Sequence, residues 1–95
     1  MILLKFTIKF LANEKTFEVN VKKEEFYRNT HDIVDIYFRT KSKSEMEMII
    51  NTYHNLFCEN GTDCFVSNSD GIEFYGKIYI YQVSEYQGKM HISIT

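Results

Sequence analysis

His54, Cys58 and Cys64 are the residues whose types and spacing come nearest to chemistry. Residues four apart on a helix project from one side, and imidazole with two thiolates and a water is an open zinc set. The spacing matches no zinc-finger pattern, and a fourth ligand such as His91 or His31 would have to arrive from elsewhere in the chain. Free cysteines more often act as small buried hydrophobes, so no metal or other cofactor is expected. The same two cysteines could form a disulfide only with Cα atoms within about 7 Å, and a reducing compartment would keep them apart.

Nucleophilic catalysis is no better supported. A Cys–His pair needs an orienting third group and an oxyanion site, and His54 and Cys58 bring neither. No Gly-x-Ser-x-Gly elbow or glycine-rich phosphate loop occurs. Asp32, Asp35, Glu45 and Glu47 could be imagined as an acidic site, but Glu45 and Glu47 fall where a first helical turn favours negative charge. Asn60-Gly61-Thr62 has the form of a glycosylation acceptor and reads as a turn. The expectation is a protein that is not an enzyme.

What the chain offers instead is a face. Along Ile72–Val83, Ile72, Phe74, Ile78 and Ile80 share one side of an extended strand, while Glu73, Tyr75, Lys77, Tyr79 and Tyr81 share the other. Tyr37 and Arg39 have compatible parity on an earlier strand, as do Lys5, Lys9 and His91. Large amphipathic rings interleaved with charge suit a surface covered by a partner part of the time. Partner binding is therefore assigned to Tyr37, Arg39, Tyr75, Lys77, Tyr79 and Tyr81. The plainer alternative is that these rings pack on one another across strands.

The elements that must position this face follow from periodicity. Leu4, Phe6, Ile8 and Phe10 alternate with polar residues, Ala12–Lys15 supplies a turn, and Phe17, Val19 and Val21 alternate again, so a hairpin opens the fold. Residues 23–31 read as a loop or one short helical turn pinned by Phe26 and Tyr27. Ile33–Thr40 reads as a third strand. Ser44 followed by Glu47 has capping-box spacing, and Met46, Ile49, Ile50, Tyr53, Leu56 and Phe57 form an apolar helical stripe that Asn60-Gly61 ends. Cys64–Ser67, Ile72–Val83 with a bulge or split at Gly76, and Met90–Ile94 after a turn carrying Gly88 complete the chain.

These elements predict one α+β domain over 1–95: a mainly antiparallel sheet of five to six strands with one amphipathic helix on one face, in the order β-β-β-α-β-β-β. The 95 residues, with 44% hydrophobic, 16% aromatic and 25% charged, suffice for one core. A net charge of −2 makes nucleic acid an unfavoured partner. No apolar run approaches the roughly 18 residues of a membrane span, and MILLKFTIKFLA lacks the form of a secretory signal, so a cytoplasmic location is expected.

The function these features predict is a small protein-binding module that works by an aromatic sheet face or an exposed strand edge. An open edge makes a homodimer an expected state. A proline-free chain rich in Ile, Lys, Asn, Tyr and Phe suggests a phage or mobile-element protein, acting as an inhibitor that covers a host protein or defence complex. The alternatives are a virion or tail-assembly component, and a single-stranded nucleic-acid binder using the Tyr/Lys face.

Overall fold

The structure, a computed structural model, describes residues 3–56 and 61–95. The alternating stretches form strands β1 (Leu3–Phe10), β2 (Thr16–Lys22), β3 (Phe26–Arg28) and β4 (Ile33–Arg39), then helix α1 (Lys43–Asn55), then β5 (Thr62–Asn68), β6 (Glu73–Gln82) and β7 (Gln87–Ile94). All pairings are antiparallel, in the order β2-β1-β5-β6-β7-β4-β3. A further pairing, Asn20 opposite Arg39, joins β2 to β4. That contact closes six strands into a barrel and leaves β3 outside the ring.

Closure corrects the expected single-faced sheet. Among the described residues there are seven strands rather than five to six, and the order is β-β-β-β-α-β-β-β. The difference lies in residues 23–31, where Lys23–Glu25 forms the helical turn and Phe26–Arg28 pairs with Val34–Ile36 as a strand. Three residues are too few to display a period of two.

Inside the ring stand Phe6, Ile8, Phe10, Val19, Val21, Val34, Ile36, Phe38, Cys64, Val66, Ile78, Ile80, Met90 and Ile92, all buried. A barrel this narrow is filled by its own side chains. The helix does not lie on one face of a sheet. It packs at the end of the ring where β4 and β6 finish and β5 and β7 begin, so that Met46, Ile49 and Tyr53 join the core. Thr62 Oγ1 donates to the Leu56 carbonyl at 3.2 Å, tying the helix end to the β5 start. At the opposite mouth, Leu4, Phe26, Phe74 and Ile94 pack partly buried against the core, with Phe26 stacked on Phe6 at 5.6 Å.

The cap of α1 sits two residues before the expected Ser44–Glu47 pair. Ser42 Oγ accepts from the Glu45 amide at 3.1 Å, and Glu45 reaches back to the Lys41 amide at 3.3 Å. The same Ser-x-x-Glu spacing occurs twice in this stretch, and the chain uses the earlier copy. Ser42→Ala is expected to cost about 1 kcal/mol of stability in urea unfolding, and Ser44→Ala much less. The helix ends at Asn55. Of the expected terminator, Asn60 lies outside the described residues, and Gly61 has the left-handed φ of +92° such a position takes.

Two glycines have reasons other than those expected. Gly76 is neither bulge nor split, because β6 pairs continuously through it with Cys64 and Ile94. A Cβ there would stand 2.6 Å from the Ser93 carbonyl oxygen. Gly88 lies within β7 opposite Phe38 rather than in the turn, which is closed instead by Val83 and Ser84 amides donating to the Gln87 carbonyl. A Cβ on Gly88 would stand 2.4 Å from the Phe38 ring.

Candidate functional site

The ring turns alternate residues of every strand outward, and cross-strand register sets them in rows. One row runs Lys9, Phe65, Tyr75 across β1, β5 and β6. A second runs Tyr79, His91, Asp35, Tyr27 across β6, β7, β4 and β3. A third runs Tyr81, Lys89, Tyr37 across β6, β7 and β4. Five of the six expected partner-binding residues thus face outward from β6 and β4, the two strands that flank β7. Arg39 stands at the seam, opposite Gln87 on one side and Asn20 on the other.

The phenols are not sealed inside. Tyr75 and Tyr81 are 56% and 52% exposed, and Tyr27 at the wall's far side is also open. Neighbouring rings brace them. Phe65 and Tyr75 are 4.7 Å apart between centroids, Tyr79 and His91 6.3 Å, and Tyr27 and Tyr37 meet edge-on at 6.1 Å. Tyr79 also closes over Gly61, where a Cβ would meet its ring at 3.2 Å.

Lys5, Lys9, Arg39, Lys77 and Lys89 each have a carboxylate neighbour. Lys77 bonds Asp63 at 2.9 Å, Arg39 pairs with Glu25, and Lys89 stands 3.9 Å from Asp35. Lys5 faces Glu18 at 3.6 Å and Lys9 faces Glu14 at 3.9 Å. Asp35 is the hub, since it also pairs with His91 Nδ1 at 2.7 Å and accepts from Asn29. Glu25 in turn accepts from Gln87 at 3.2 Å. The wall is polar and aromatic, with its charges balanced locally.

This network holds residues that periodicity did not single out. Glu25, Tyr27, Asn29 and Lys89 surround Asp35 and Tyr37 in an open groove between β3 and the β4–β7 pair. Lys89 shares the parity of His91 and was legible by that rule. Tyr27 was not, because the strand carrying it is only three residues long.

The residues considered for metal or nucleophilic chemistry do not converge. His54 is exposed on α1 and borders a shallow apolar groove with Tyr53, Tyr79, Ile80 and Tyr81. Cys64 is a free thiol buried inside the ring. Cys58 lies outside the described residues, and so does any bridge to it. Among the described residues no group of three or more His, Cys, Asp and Glu side chains could hold a metal ion, and no helix is long and apolar enough to cross a membrane.

Burial pushes the Cys64 thiol up to about 12, with the Gly76 backbone hydrogen bond opposing the shift. The thiolate is the nucleophile, so peptide mapping should show Cys64 unalkylated by iodoacetamide at pH 8 in the folded protein and alkylated in urea. Ionisation of the unfolded thiol near 9.0 while the folded one stays protonated means this group lowers stability as pH rises from 9 towards 12. Tyr53 is raised by the same cause, burial, partly offset by a hydrogen bond with the Ile80 backbone.

Comparison with family models, with curated proteins and with solved structures finds no match for this chain.

Proposed function

We propose that this chain is a non-enzymatic protein-binding module whose recognition surface is the outer wall of β4, β7, β6 and β5. Half-exposed Tyr75 and Tyr81 on a rigid barrel wall carry the reading. Rings of this kind contribute large contact area at small entropic cost, and tyrosine is among the residues that dominate interface energetics.

Local charge balance favours a protein partner over single-stranded nucleic acid. Binding a polyanion draws on free cations along the backbone track, and here Lys5, Lys9, Arg39, Lys77 and Lys89 each face a carboxylate. The wall, rather than an edge, is the proposed contact, because ring closure engages the long strands and leaves the three-residue β3 outside it. A small proline-free chain with such a wall suits an inhibitor of phage or mobile-element origin that acts in the cytoplasm by covering a host protein. Affinity capture with wild-type protein and with Tyr75→Ala/Tyr81→Ala tests this reading. A virion component would instead show ordered self-association in light scattering.

A further inference from the structure

The open groove between β3 and the β4–β7 pair offers about 430 Å³, room for one side-chain head group. Its floor holds the Asp35 carboxylate, only 14% exposed, beside that of Glu25, which Arg39 and Gln87 already engage. Its walls are Tyr27 and Tyr37, with ring planes 89° apart. Shielded carboxylates and phenol π-faces both favour a cation.

Lys89 displays the geometry such a cation takes. Its Nζ lies 5.6 Å from the Tyr37 ring centroid and 3.9 Å from Asp35 Oδ1. The second distance is too long for a hydrogen bond, whereas Asp35 is held firmly by His91 and Asn29. Lys89 can therefore leave without stripping Asp35 of its other partners. Exchange of one ammonium for another also leaves the charge of the groove unchanged.

Resting on the protein-binding reading above, we propose that this groove receives the ammonium head of a lysine side chain presented by the partner, with Lys89 swinging out on its flexible stem to admit it. Lys89 is then a built-in competitor that holds a positive charge beside Asp35 until the partner arrives.

The test is a titration of ¹⁵N-labelled protein with n-butylammonium at constant ionic strength, followed through the amide signals of Tyr27, Asp35 and Tyr37. Removing the tethered competitor in Lys89→Gln should give saturable binding at least about tenfold tighter than in wild type, because a tethered group competes at millimolar or higher effective concentration. Butyrate should give no such binding. Asp35→Asn or Tyr37→Leu added to Lys89→Gln, each checked for a native spectrum, should abolish it.

Non-saturable shifts, equal affinity in wild type and Lys89→Gln, or indifference to both added substitutions would overturn the proposal. Tighter binding of n-butylguanidinium than of n-butylammonium would reassign the groove to arginine and overturn the lysine assignment. The titration needs no partner, so its failure leaves the capture experiment to judge the protein-binding reading, and failure of capture leaves the titration standing.

Discussion

Phe38→Ala is expected to lower the unfolding free energy by about 3–5 kcal/mol, and Gly88→Ala by about 1–3 kcal/mol, yet together they should cost far less than the sum. Phe38 is fully buried, and its ring occupies the place where a side chain on Gly88 would stand. Truncating the ring leaves a cavity; adding a methyl group opposite it overpacks the ring by more than rotamer adjustment can absorb. In the Phe38→Ala background the methyl group enters vacated space, so Gly88→Ala should become nearly neutral or slightly stabilising. Urea unfolding of the four proteins in a double-mutant cycle would give a coupling of at least about 1 kcal/mol. Additive costs would mean that the two positions do not share this space. A barrel of ordinary stability, about 5–15 kcal/mol, can be unfolded by the larger change, and Phe38→Leu then gives the same cycle in smaller steps.

That pair also marks where the sequence could and could not be read. Parity along β1, β4, β6 and β7 was legible, because a one-residue slip would move every Ile and Phe from the core to solvent, and the inner and outer sets fall as alternation requires. Local spacing puts Gly88 in a turn because that is glycine's usual meaning, whereas in the fold it permits close approach of a ring from the neighbouring strand. Gly76 is the same case against Ser93. Ring closure had no local signature at all, since it rests on the pairing of Asn20 with Arg39, two residues whose side chains advertise nothing about each other. The helix was legible as an amphipathic stripe, but its seat at a barrel mouth followed only from closure.

At the wall, the legible part was again parity. Tyr37, Tyr75, Lys77, Tyr79 and Tyr81 do face outward, from β4 and β6 on either side of β7, while the carboxylates facing the cations come from separate strands or from η1 (Lys23–Glu25) and could not be paired from spacing.

The second large effect concerns binding without stability. Tyr81 is half exposed on β6 beside Lys89, and its truncation removes contact area on the wall without removing a buried side chain. Tyr81→Ala should leave the unfolding free energy within about 0.5 kcal/mol of wild type. Tyr75→Ala should lose in addition the contact with Phe65, worth about 0.5–1.5 kcal/mol. Against a partner seated on the wall, each truncation is expected to cost about 2 kcal/mol, or roughly 30-fold in Kd. The separation of the two quantities matters, since a partner held by the barrel ends or by β3 alone would be insensitive to both residues.

Recognition through the outer wall is tested most directly by quantitative affinity capture from a lysate of the source cells, using wild type and Tyr75→Ala/Tyr81→Ala, with the Kd of any captured protein then measured in purified form. The expected result is a protein that wild type binds and that the folded double variant binds at least about 100-fold more weakly. Equal binding of that protein by both, or retention of nucleic acid alone, would contradict it.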